Sequence, residues 1–368
     1  MAVPGFIDLH VHVCGGGGEA GPGSRTPAPR GLSELLQAGL TCVVGVLGTD
    51  SVSRTQENLV AQVQGLNEDG ITAYSWCGSY RLPPATITGS VQRELCLVAS
   101  CLGVGEVAVS DHRGSAPTPA DLLRLGLEAR VGGMLSGKAG IVHCHMGPGA
   151  ARLQPLRDAL ACGAGDLPVT AFHPTHMERS PELVADGAAW LADGGTLDLT
   201  CRWGAGLSSP SQCRAALRLY RDKGLPLEGV TVSTDSYGSL PVFDAQGRLV
   251  QYDVADPGAM LRFLRAMVME EGWALEEVLP LMTRNPAARL KLERKGRIAV
   301  GCDADILLLE VRGQGRRAGA VCGRTASPGG MLVMQHAATG PSCPGTHPPR
   351  PCRRTLWPCS TWWLEARW

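Results

Sequence analysis

Val3-Pro4-Gly5-Phe6-Ile7-Asp8-Leu9-His10-Val11-His12-Val13 is a short apolar run that ends on two histidines one residue apart, and four glycines, Gly15 to Gly18, follow it. Side chains alternate faces along a strand, so His10 and His12 leave one face side by side. The glycines let another group approach closely. Neutral imidazole is the commonest metal ligand in proteins. A lone pair of this kind also fits two polar residues at a strand end, so its meaning depends on the rest of the chain.

Similar apolar, β-branched runs recur at residues 5–13, 41–47, 71–80, 103–110, 140–145, 169–176, 196–201 and 230–235. Between them lie segments such as 32–38, 56–67, 119–135, 153–162, 181–193 and 211–223. Their apolar residues recur at three and four, the mark of an amphipathic helix. Strand-helix alternation predicts parallel strands with crossover helices. Eight such units in about 250 residues is the size of a (β/α)8 barrel of the TIM type, an α/β fold. A doubly wound open sheet is the competing arrangement. Barrel active sites sit at the C-terminal ends of the strands. The chemistry-bearing residues fall there: His10 and His12, Tyr80, Glu106 followed by Ser110-Asp111-His112-Arg113, His143 and His145, His173 and His176 with Arg179, and Asp235.

The barrel is expected over residues 1–282, with helices at 259–271 and 274–282 completing it. Residues 283–311 read as short β elements of an incomplete small β domain, two of them within 295–310 joined by a Gly-Cys-Asp turn. Residues 312–368 hold eight arginines, no lysine, one acid and seven prolines without periodicity. They read as an irregular, disordered tail.

Across 368 residues, 34 basic and 34 acidic side chains balance. No global charge therefore points to nucleic acid or to a membrane surface. The chain shows no basic-then-apolar leader and no apolar run of about 18 residues, so neither a signal peptide nor a membrane span is expected. The 14 cysteines are scattered without a CxxC pair, which fits a reducing, cytoplasmic setting.

His10, His12, Glu106, His145, His176 and Asp235 form the inward-facing set. Four imidazoles and two carboxylates can hold two divalent ions about 3.5–4 Å apart in a hydrolytic site. Glu106 is expected to bridge them, with His10, His12 and Asp235 on one ion and His145 and His176 on the other. Nitrogen and oxygen donors suit Zn2+, with manganese, cobalt or nickel also accommodated. Solvent between two such cations loses a proton near neutral pH. Asp235 can accept that proton and pass it to a leaving amine.

This pattern resembles the amidohydrolase superfamily. The resemblance rests on the first-strand HxH, single histidines ending the fifth and sixth strands, the aspartate ending the eighth, Asn285-Pro286-Ala287, and the stretch from Gly296 to Ile306. Within it, the isoaspartyl (beta-aspartyl) dipeptidases are most similar. Residues 15–22 (GGGGEAGP), 46–51 (VLGTDS), 86–91 (TITGSV), 110–113 (SDHR), 176–179 (HMER) and 235–239 (DSYGS) carry that likeness.

The resemblance implies a metallo-dipeptidase acting on β-aspartyl dipeptides, assembled as a homo-oligomer. It implies that Glu19 pairs with the substrate ammonium and that Gly17, Thr49 and Ser239 hold the aspartyl α-carboxylate. Arg113 and Arg179 would face the leaving residue's carboxylate, where a planar guanidinium grips both oxygens. Tyr80 would stabilise the oxyanion. In bacterial relatives the bridging position is often a carboxylated lysine; here it is Glu106, which offers the same two oxygens. Family members usually carry several strands before the barrel, whereas this chain starts almost on it. The 296–310 elements are thus expected to lack much of their sheet, as in a truncated or alternatively spliced form. A cyclic-amide hydrolase of the dihydropyrimidinase or dihydroorotase type and a catalytically inactive binding protein are the competing readings; Glu19, which wants an ammonium, argues against the first.

Overall fold

The computed structural model describes residues 1–202, 210–244, 246, 249–311 and 332–337. A short strand, β1 (Ala2–Pro4), comes first. Eight further strands follow in the expected places: β2 (Phe6–Val11), β3 (Leu40–Gly45), β4 (Thr72–Cys77), β5 (Cys101–Val109), β6 (Val142–Met146), β7 (Phe172–Thr175), β8 (Leu197–Thr200) and β9 (Val230–Ser233). One helix crosses over between each successive pair: α1 (Leu32–Gln37), α2 (Gln56–Asp69), α3 (Val91–Leu97), α4 (Pro119–Ser136), α5 (Gln154–Cys162), α6 (Pro181–Ala192) and α7 (Pro210–Asp222). Thr55, Ser90, Thr118 and Ser180 start α2, α3, α4 and α6 by accepting from an amide of the first turn. Every residue of β2, β3, β5 and β6 is buried, as expected for parallel strands covered on both faces.

Parallel pairing runs in order from β2 to β7, and β8 pairs with β9. The Met177 amide donates to the Asp198 carbonyl beside β8. At the other seam, a parallel bridge joins Val11 to Ser236, and the His12 amide donates to the Ser236 carbonyl at 2.9 Å. The curled sheet and its crossover helices are the TIM-type (β/α) architecture.

After β9 the chain makes an antiparallel hairpin, β10 (Ser239–Phe243) and β11 (Leu249–Val254), which the periodicity did not signal. Helices α8 (Ala259–Met269), α9 (Leu275–Val278) and α10 (Arg284–Arg289) follow. The expected pair of β elements within 295–310 is only half present. Residues 306–311 form β12 (Ile306–Val311), but 295–300 are irregular, with bends. The Lys295 ammonium ties that segment to Asp303 and Asp305 at 3.0 and 2.6 Å, which favours a folded loop over an extended strand.

β12 nonetheless has a partner strand on each edge. β12 pairs on one edge with β1, Val3 opposite Leu307, and on the other with β13 (Leu332–Ala337). The few residues ahead of the barrel thus cover one edge. β13 arises inside the segment read as irregular; the remainder of 312–368 lies outside the described residues. No helix among the described residues is long and apolar enough to cross a membrane.

Candidate active site

Glu106, in the middle of β5, gathers the imidazoles around it. Its Oε2 lies 2.8 Å from His145 Nδ1, 3.4 Å from His10 Nε2 and 3.6 Å from His176 Nε2. Its Oε1 lies 3.7 Å from His12 Nε2. Asp235 Oδ1 approaches His12 Nε2 at 3.0 Å and His10 Nε2 at 3.4 Å. Six side chains from β2, β5, β6 and the ends of β7 and β9 thus converge, all buried. His176 and Asp235 take positive φ, +63° and +54°, just past their strands. That rare backbone conformation for a non-glycine residue redirects each side chain from the strand end.

Burial opposes charge on these carboxyls, yet His10 and His145 hold Glu106, and Arg202 and His10 hold Asp235, well below the usual carboxylate range. Burial together with the Arg179 guanidinium pushes His145 and His176 below the ordinary imidazole value. Ionised carboxylates and neutral imidazoles are the states that ligate metal. His10 alone is shifted the other way: against the effect of burial, Glu106 and Asp235 hold its proton well above the ordinary imidazole value, so a cation would take that proton's place. His10 Nε2, Glu106 Oε1 and Asp235 Oδ1 are buried without a hydrogen-bond partner. Such atoms are rare in folded proteins, and a cation satisfies all three at once. Three subsets bring one donor atom each within 4.8 Å of one another: His10, His176 and Asp235; His10, His12 and Glu106; and Glu106, His145 and His176. The donor set fits divalent metal.

A cavity of about 250 Å³ opens beside this cluster. Gly17, Glu19, Thr49, Tyr80, Arg113, Arg179 and Ser239 all line it, together with His12 and Asp235. Gly17 belongs to the glycine loop after β2. Its φ is +69°, and a Cβ there would collide with the Tyr252 hydroxyl of β11 and the Ser24 carbonyl. Arg54 braces the loop by donating to the carbonyls of Cys14, Gly16 and Gly17. The Thr49 hydroxyl donates to Glu19 at 2.9 Å, and Arg113 Nη1 lies 3.5 Å from the same carboxylate. Arg113 Nη2 and Arg179 Nη1 lie 3.1 and 3.0 Å from His145 Nε2. The Tyr80 hydroxyl lies 2.8 Å from His145 Nδ1. Burial and the Glu106 charge push its phenol well above the ordinary value, so it remains a donor.

Sequence reasoning assigned no role to four contributors. Arg202, two residues beyond β8, lines the cavity and pairs with Asp235. Pro148 lines the same wall. Asp111 holds Arg113 through two side-chain contacts, at 3.0 and 2.7 Å, and lies 3.2 Å from His145 Nε2. Arg54 lies outside any strand end, so no positional signal singled it out. Arg202 directly follows the seventh apolar run, 196–201, a strand-end position that could have signalled it. The histidines also divide: His143 and His173 lie fully buried and bond within the protein, whereas His112 projects to solvent.

Residues 168–325 match the family model described as the amidohydrolase family. Among solved structures, the beta-aspartyl dipeptidase of the thermophilic keratin-degrading Fervidobacterium islandicum AW-1, in complex with the dipeptide beta-Asp-Leu, is 43% identical. That match covers 83% of this chain and 80% of the other, with a TM-score of 0.77. A second structure of that dipeptidase is 40% identical, covers 83% and 77%, and has a TM-score of 0.74. The phosphotriesterase homology protein of Escherichia coli, with phosphate in its active site, shares the fold at 14% identity. It covers 77% of this chain and 98% of the other, with a TM-score of 0.54.

Proposed function

The chain belongs to the beta-aspartyl dipeptidases of the amidohydrolase family, and from that footing we propose that it hydrolyses the amide of β-aspartyl dipeptides. One observation carries the reading. The seven residues matched to substrate recognition line a single cavity beside the six matched to metal.

His10, His12, Glu106, His145, His176 and Asp235 would hold two divalent ions, and the nitrogen and oxygen donors favour Zn2+. When bound, such ions supply Lewis acidity and lower the pKa of solvent to about 7. Glu19 receives the substrate ammonium, and Gly17, Thr49 and Ser239 receive the α-carboxylate. The Arg113 and Arg179 guanidiniums face the carboxylate of the leaving residue. The Tyr80 hydroxyl donates to the carbonyl oxygen as negative charge develops there. Asp235 accepts a proton from the attacking solvent and delivers it to the departing amine. The ten described cysteines are free, which supports a reducing, cytoplasmic setting.

Purified protein assayed on β-Asp-Leu tests the reading. Cleavage that a chelator abolishes, Zn2+ restores and Asp235→Asn removes is expected. Metal-loaded protein that leaves β-Asp-Leu intact refutes it.

A further inference from the structure

We propose that His143 is a positioning residue that fixes the tautomer of His10, so that the lone pair of His10 Nε2 faces the metal site. The inference rests on the reading of His10 as a ligand.

His143 and His145 are two apart on β6 and share its inward face. His145 Nδ1 lies 2.8 Å from Glu106 Oε2, whereas His143, fully buried, meets His10 and the His173 carbonyl instead. His143 Nδ1 lies 3.1 Å from the carbonyl oxygen of His173 on β7. A carbonyl only accepts, so Nδ1 carries the hydrogen. Among the described residues no carboxylate is paired with this ring, and an uncompensated buried charge is costly. The neutral ring therefore presents a lone pair at Nε2. That atom lies 2.8 Å from His10 Nδ1, so His10 Nδ1 must donate. In the neutral, ligating form of His10, Nε2 is then the nitrogen left without a hydrogen, and it points between Glu106 and Asp235, 3.4 Å from an oxygen of each.

The direction of this relay is set at its far end by a backbone carbonyl, which cannot reverse. Trp76 fixes the plane of the middle ring by stacking on it, with centroids 5.1 Å apart and planes at 16°. The Trp76 indole donates to the Leu9 carbonyl at 2.8 Å, one residue before His10, so clamp and ligand share a backbone reference. Histidine ligands commonly donate their second N–H to a carboxylate, a carbonyl or water. Here a neutral imidazole takes that place, which orients the ligand without adding negative charge.

Two substitutions separate the relay from simple packing. The amide of His143→Gln reaches the Nε2 position and can accept from His10. The shorter amide of His143→Asn reaches only the Nδ1 position and leaves His10 Nδ1 without an acceptor. Metal-free protein is titrated with Co2+ and with Zn2+ against a competing chelator, following the visible Co2+ spectrum. Thermal unfolding of the metal-free forms serves as the control for folding, and His10→Ala as the control for ligation. H143Q should bind within about threefold of wild type, and H143N about 10- to 100-fold more weakly with an altered spectrum. Equal affinity in all three proteins, or an equal loss in both variants, overturns the proposal. Full metal binding by His10→Ala refutes instead the underlying assignment of His10.

Discussion

The Thr234 hydroxyl and backbone amide both donate to the Asp8 carboxylate, joining the end of the last barrel strand to the first. Asp8 also accepts from the His10 amide at 3.1 Å. One buried carboxylate thus sets the spacing between His10 and Asp235, which lie at opposite ends of the barrel sequence. Thr234→Val keeps the shape and removes the hydroxyl. It should cost about 1–3 kcal/mol in denaturant unfolding, because a buried acceptor loses a partner. It should also lower the metal retained after dialysis. Unchanged stability and metal content would show that the seam does not depend on this contact.

Asp198 sits in the barrel interior and accepts from the hydroxyls of Thr175, Thr231 and Ser233 at 2.7, 2.6 and 2.6 Å. Burial pushes its carboxyl up to about 7 from 3.8, while those hydroxyls pull the other way. The folded value is raised, so its favourable contribution is complete below about pH 4 and is lost as pH rises through about 7. Relative to Asp198→Asn, the wild type should lose stability from pH 4 to 8, by up to about 4 kcal/mol. A difference that stays constant over that range would contradict the raised value. Urea denaturation of both proteins at several pH values measures it.

In the proposed function Arg179 and Arg113, which line the cavity, grip the carboxylate of the leaving residue. Arg179→Met should raise KM for β-Asp-Leu, with a loss of about 1.5–3 kcal/mol in kcat/KM, or roughly 10- to 150-fold. The same peptide with its terminal carboxylate amidated removes the partner. Variant and wild type should then act on it alike. An equal penalty on both peptides would mean that Arg179 serves the metal cluster rather than the substrate.

Tyr80→Phe removes the hydroxyl proposed to donate to the developing oxyanion and leaves the ring. Its kcat on β-Asp-Leu should fall about 100- to 1000-fold with KM little changed. Loss confined to KM would assign the hydroxyl to ground-state binding.

The barrel was legible because each strand is a buried apolar run that stands out from its amphipathic neighbours. Helix α3 was not read from its pattern, and the Ser90 cap is the local signal that marks it. The β10–β11 hairpin brings Tyr252 against Gly17, a contact between distant segments that no local pattern encodes. The strand β1 was hidden in the run that leads into β2. Lys295 converted an expected strand into a loop through ion pairs with Asp303 and Asp305, whose formation depends on the fold of the turn. The convergence of His10, His12, His145 and His176 was legible because strand alternation and strand ends dictate where they point. Arg202 also stands at a strand end, but its pairing with Asp235, 33 positions away, depends on the fold.

The cluster around Glu106 is most directly tested by counting the metal it holds. Metal-free protein reconstituted with Zn2+ and dialysed should retain about two equivalents by elemental analysis. Glu106→Gln should retain fewer, and the paired His10→Ala and His176→Ala substitutions fewer still. Wild type that retains none, or variants that each keep two, would contradict a metal site built from these six side chains.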